Sequence, residues 1–107
     1  MINVKILVSS DGALRGFNIE GHSNFDKKGQ DIVCSAVSSV SYMVVNTMLD
    51  IMKVQAEITF REEGLLGLFI SLKDIARCRD ILLGFKMHLL GIEEQYPENI
   101  TVNYMEV

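Results

Sequence analysis

Residues 31–51 read DIVCSAVSSVSYMVVNTMLDI, and the spacing of their apolar side chains decides the fold. Val33, Val37, Val40, Val44, Met48 and Ile51 recur at intervals of three and four, which is the stripe of an amphipathic helix. Asp31 stands where an N-cap belongs, its carboxylate able to accept the amide hydrogens of Val33 and Cys34. The flanking sequence has a different period. Ile2, Val4, Ile6 and Val8 alternate with Asn3, Lys5 and Ser9, the pattern of a half-buried strand. Asp11-Gly12 marks a turn, and Leu14 to Glu20 reads as the second strand of a hairpin, with Phe17 and Ile19 inward. Gly21 to Gln30 has two glycines, two lysines and no periodicity, as expected of a loop.

Beyond the helix, strands are expected at Val54 to Arg61 and Leu65 to Leu72, joined by Glu62-Glu63-Gly64. A second helix should begin near Asp74 with the stripe Ile75, Cys78, Leu82, Phe85 and Leu89. It should end around Gly91, with Pro97 preventing continuation. Ile100, Val102 and Tyr104 alternate in a final strand. The order β-β-α-β-β-α-β, without repeat or linker, predicts a single α+β domain over residues 1–107. Its expected core is a mixed, mostly antiparallel five-stranded sheet with two main helices packed on it. The first helix is apolar off its stripe as well, at Met43, Val45 and Met52. Burial under the sheet is the commoner explanation for such surface, and contact with a second subunit is the other.

Composition narrows the class. The chain has 107 residues, 49% of them apolar, which is enough for one core and too little polar bias for disorder. The net charge of −4, the absence of Trp and the small basic clusters Lys27-Lys28 and Arg77/Arg79 argue against nucleic acid as a partner. No run approaches ~18 consecutive apolar residues, so no membrane span is expected. The segment from Met1 lacks a basic region followed by an apolar run, and two cysteines do not make a disulfide framework; a cytoplasmic protein with reduced thiols is expected.

Four side chains have titratable or soft chemistry near neutral pH: His22, Cys34, Cys78 and His88. Cys78 and His88 are ten residues apart on one predicted helix, roughly 15 Å along its axis, so they cannot share a metal ion. C-x-x-C and H-x-x-x-H are both missing, and neither a metal nor a cofactor is expected. Cys78 lies mid-stripe, where a thiol packs as a small hydrophobe, and His88 falls on the solvated side. Cys34 is expected in the first helical turn, roughly 90° around from the centre of the stripe. There it would face unpaired amides and the positive end of the helix dipole, which favour a thiolate. His22 closes the second strand just before the loop feeding this helix, and an imidazole there can serve as base and acid. Asp31 either orients His22 or caps the helix. Gly21 and Gly29 bracket a polar segment suited to a mobile lid. Spacing alone leaves open a Cys34 that only packs, since a His and a Cys twelve positions apart recur by chance.

The residues Gly21-His22-Ser23 and Gly29-Gln30-Asp31-Ile32-Val33-Cys34-Ser35-Ala36-Val37-Ser38 add information beyond spacing. The pattern G-H, a short loop, then G-x-D-I-V-C followed by small residues resembles the ribosomal-processing cysteine protease family called Prp. The stretch from Ile92 to Tyr104 is similar to the end of that family, so the likeness covers essentially the whole chain. The resemblance implies a cytoplasmic bacterial endopeptidase that forms homodimers. It implies removal of an N-terminal extension from a large-subunit ribosomal protein, the twenty-seventh by number. By position, Cys34 matches the nucleophile, His22 the general base, and Asp31 the aspartate of the block. The alternative is a non-catalytic, ribosome-associated binding module with a structural cysteine. A redox-sensing thiol would need Cys78 as its resolving partner, and Cys78 is expected in the core.

Overall fold

The computed structural model describes residues 1–21, 28–62 and 64–107, with the side chains of 28–31 also outside the description. Strand β1 (Ile2–Val8) and strand β2 (Leu14–Glu20) have the expected bounds and form the expected antiparallel hairpin. Ile2, Val4, Ile6, Phe17 and Ile19 are buried on one face. Helix α1 (Lys28–Asn46) follows, and a π-helical turn, Thr47–Ile51, continues it. Strands β3 (Ala56–Arg61) and β4 (Leu65–Ile70) make a second hairpin. A short 3-10 turn, Leu72–Asp74, leads into helix α2 (Ile75–Gln95), and strand β5 (Ile100–Glu106) ends the chain.

The strand order is β3-β4-β2-β1-β5. β1–β2, β2–β4 and β3–β4 are antiparallel and β1–β5 is parallel, so the sheet is mixed and mostly antiparallel. Register carries the hydrophobic pattern across it. Val4 pairs with Ile19, Ile19 with Leu66, and Leu66 with Phe60, so these side chains share the face on which the helices pack. Val33, Val37, Val44 and Met48 come down onto this face from α1 and its continuation; Cys78, Leu82, Phe85 and Leu89 do so from α2. The Phe17 and Phe85 rings meet at 4.4 Å, pinning α2 to the middle of the sheet. Gly16 is required by the crossing of β2 and β4: its φ is +145°, and a Cβ there would sit 1.9 Å from the Leu68 carbonyl oxygen.

Several boundaries differ from the sequence reading. α1 begins at Lys28, not after Asp31, so Asp31 is its fourth residue and not its N-cap. Lys28 and Gln30 are good helix formers, and one glycine between them costs only about 1 kcal/mol. Ile51, expected on the buried stripe, is 77% exposed. The Met52 amide donates to the Thr47 carbonyl, an i→i+5 bond that widens the turn and takes Ile51 off the face that buries Met48. α2 runs through Gly91 to Gln95, because the next turn buries Ile92 against the core. Tyr104 is half exposed under the Lys86 ammonium, 5.0 Å from its ring centre. Of the off-stripe residues in the first helical segment, Val45 is buried, Met52 half-buried and Met43 exposed, so the sheet covers only part of them. The segment Ile32–Ile51 does reach the length and apolarity of a membrane-crossing helix, with mean hydropathy 1.6. Its valines and Met48 spend that apolarity in the core.

Cys78 is fully buried, and burial pushes its thiol above the ordinary value of 9.0; the Asp74 carboxylate pushes the same way, opposed by the Arg77 guanidinium. The unfolded chain therefore loses this proton at lower pH than the native one. Stability from this group is intact below pH 9 and falls as the pH rises past it. Urea denaturation from pH 8 to 10.5 should show that alkaline loss, with a shallower slope in Cys78→Ala, a variant about 1–3 kcal/mol less stable at pH 7. Gly16→Ala should lose about 2–4 kcal/mol in the same measurement. Gly12→Ala, where φ is +89° but no atom lies within 4 Å of the new Cβ, should lose only about 1–2 kcal/mol.

Candidate active site

The end of β2, the β3–β4 turn and one side of α1 meet at a cleft of about 200 Å³. Its geometry starts with two glycines. The Gly21 amide donates to the Gly64 carbonyl at 3.0 Å, tying the end of β2 to the hairpin turn. Gly21 has φ +114°, and a Cβ there would lie 2.3 Å from the Met1 carbonyl oxygen. No other residue fits that position without moving the N-terminal strand. Gly64, φ +103°, donates its amide to the Arg61 carbonyl and closes the turn.

Cys34 stands over this floor. It is half-buried and lines the cleft together with Ser38 and Tyr42, which follow it one and two turns along the same helix face. Val37 and Ser41 form the deeper part, and the Ser41 hydroxyl is satisfied by donating to the Val37 carbonyl at 2.6 Å. The opposite wall is Phe60, Arg61 and Leu66. Ile19 and Gly21, from the strand that leads to His22, complete the lining. A thiol at the rim of an open, largely apolar cleft with backbone groups nearby is an arrangement that can receive a peptide.

The extra helical residues change the reading of Cys34 itself. It is the seventh residue of α1, in the second turn, where its own amide belongs to the helix ladder. The unpaired amides and the dipole's effect are confined to the first turn, so they do not surround Cys34 as the sequence suggested. The first-turn amides, which an oxyanion would otherwise meet, likewise lie a turn before it.

His22 lies outside the described residues, as do the Asp31 side chain and most of the expected lid, while Gly29 is described only as backbone of α1. Gly21, the other lid boundary, lies in the cleft wall. Cys78 is buried in the core and His88 exposed on α2, away from Cys34. Among the described residues no group of three His, Cys, Asp or Glu side chains is arranged to hold a metal ion. A wider depression of about 770 Å³ by Arg15, Phe69 and Lys73 contains no thiol or imidazole. Sequence reasoning missed Ser38, Tyr42 and Phe60 as cleft residues. The first two carry a signal, the four-residue interval from Cys34, whereas Phe60 joins them only through the strand order.

Comparison with known proteins agrees with this geometry. Residues 1–101 match the family model for cysteine protease Prp. The chain is 32% identical to the ribosomal processing cysteine protease Prp of Staphylococcus aureus strain Mu50, over 97% of this chain and 99% of that one. It is 33% identical to the Bacillus subtilis strain 168 protein of the same name, over 95% and 96%. A crystal structure of the S. aureus protease with a substrate peptide superposes with a TM-score of 0.87 at 28% identity, covering 98% of this chain and 100% of that one. Another, with a covalently linked product peptide, gives 0.86 at 29% identity over the same shares. The fold, the accessible cysteine and these relatives converge: the chain belongs to the cysteine protease Prp family and is a cysteine protease of ribosomal processing.

Proposed function

We propose that Cys34 is the nucleophile and His22 its general base in removing the N-terminal extension of a large-subunit ribosomal protein, the twenty-seventh. One observation carries the assignment. A cysteine protease needs a thiol that a peptide can reach, and of the two cysteines Cys78 is 0% exposed while Cys34 lines the cleft. Gly21 in the wall of that cleft, one residue before His22, supports the pairing. The covalently linked product peptide of the S. aureus relative supports a nucleophilic route, and its substrate-peptide complex supports a peptide ligand.

The chemistry balances around one proton. His22 takes it from the Cys34 thiol as sulfur attacks the scissile carbonyl carbon. The tetrahedral adduct collapses, and His22 returns the proton to the leaving amine, which leaves a thioester on Cys34. Water adds to the thioester, its proton passing through His22 to the departing thiolate. Neither metal nor cofactor enters this scheme. Ile32 and Met43, 58% and 55% exposed, recur on one side of α1 and suit the contact of a homodimer. A cytoplasmic location, where both thiols would stay reduced, completes the proposal.

Cys34→Ala should abolish cleavage of a peptide spanning the junction, read by mass spectrometry, while melting like the wild type. His22→Ala should slow it about 100- to 10,000-fold. Iodoacetamide should label Cys34 in the native protein and reach Cys78 only in urea. A binding module whose cysteine merely packs would instead keep both thiols unlabelled until unfolding.

A further inference from the structure

The face of the sheet that the helices leave open carries, at one corner, a fixed cation without a counter-charge. Leu68 and Ile70 of β4 are buried on the helix side, so Phe69 between them points to the open side. Phe69 pairs with Glu57 of β3 and with Gly16 of β2, which brings no side chain across to its ring. The Arg15 guanidinium lies over the ring instead, 4.4 Å from its centre. Nε and Nη2 of Arg15 donate to the Ile70 carbonyl at 3.2 and 2.9 Å, and Nη1 donates to the Ser9 hydroxyl at 3.4 Å. The side chain is half-buried and fixed in direction, and each terminal nitrogen keeps one N–H without a partner among the described residues.

Arg15 and Phe69 line the depression of about 770 Å³ together with Ala56, Glu57, Leu72 and Lys73. Lys73 brings a second cation, its ammonium donating to the Gln55 side chain at 3.5 Å. Glu57 is the one carboxylate of this wall among the described residues, and it forms an ion pair with neither Arg15 nor Lys73. A fixed guanidinium suits a carboxylate or a phosphate, because its parallel N–H groups match two oxygens at once. Here the described chain supplies neither. The depression is separate from the cysteine cleft: the two share no lining residue, and Phe69 is roughly 13 Å along β4 from Leu65, which lines the cleft.

We propose that this depression binds a small phosphomonoester, its phosphate bridging Arg15 and Lys73 and its organic body lying against Ala56 and Leu72. A phosphomonoester carries a charge of about −1.5 to −2 at neutral pH, and its oxygens can accept from both cations together. A carboxylate carries one negative charge, and with Glu57 on the same wall its attraction to the site is about half as large. The volume exceeds what a phosphate group alone fills and lies within the range of small-molecule pockets. Leu72, 71% exposed beside the cations, gives the organic body an apolar surface to cover.

The test is a chemical-shift titration of the wild-type protein with phenyl phosphate at about pH 8, where the probe is a dianion. Benzoate, and sodium chloride at matched ionic strength, are the comparisons. Phenyl phosphate should move the Phe69 and Lys73 amides and the Arg15 Nε–H saturably, and benzoate should bind at least about threefold more weakly. Lys73→Met, at an exposed position, should weaken phenyl phosphate about threefold, and Glu57→Gln should tighten it by about as much. Arg15→Gln should abolish saturation; if losing the bonds to Ile70 unfolds it, the Lys73 and Glu57 variants decide. Cys34→Ala should bind as the wild type does. Equal movement of these signals by chloride, benzoate binding as tightly as phenyl phosphate, or unchanged affinity in Lys73→Met and Glu57→Gln overturns the proposal. So does weaker binding in Cys34→Ala, which would place the probe in the cysteine cleft.

Discussion

The hydrogen bond from the Gly21 amide to the Gly64 carbonyl holds the site together. It fastens the residue that follows β2 to the turn of the neighbouring hairpin, and the cleft forms where these two backbones meet beneath α1. Both residues sit at positive φ, and at Gly21 even a methyl group would strike the Met1 carbonyl. Backbone conformation that only glycine adopts without strain thus fixes the cleft floor and the point from which the chain goes on to His22. A cysteine on a helix becomes useful only when such a floor lies under it.

α1 is loaded on more than one side. Val33, Val37 and Val44 enter the core, Cys34, Ser38 and Tyr42 face the cleft, and Ile32 and Met43 lie in the open. That division explains an apolar content high enough to match a membrane-crossing helix in a segment that packs on a sheet. Ser41, buried at the base of the cleft, leaves no unsatisfied hydroxyl because its own helix accepts the bond at the Val37 carbonyl.

Strands were legible wherever one face is buried. Ile2, Val4 and Ile6 of β1 and Phe17 and Ile19 of β2 alternate on the buried face, and although Leu7 on the opposite face is buried as well, the bounds of both strands follow from sequence alone. The helix ends were harder. Nothing in the spacing of Val33 to Met48 shows that Lys28 to Gln30 join the helix, and that extension removes Asp31 from the cap and Cys34 from the first turn. The π-helical turn that exposes Ile51 is equally silent, since it depends on which carbonyl the Met52 amide finds. Of the site, Cys34 could be singled out by an expected place in the first helical turn, a ground that the start of α1 at Lys28 removes, and by the block Gly29 to Ser38 that carries the family resemblance. Phe60 and Arg61 could not, because a strand 26 residues along the chain reaches Cys34 only through a sheet order that local pattern does not encode.

The most direct test of the account is to quench the enzyme with acid during turnover of its peptide and map the adduct by mass spectrometry. The account predicts an acyl group, heavier by the N-terminal fragment of the substrate, on Cys34 and nowhere else. An acyl group on Cys78, or turnover with no acyl-enzyme at all while the peptide is cleaved by Cys34→Ala, would contradict it.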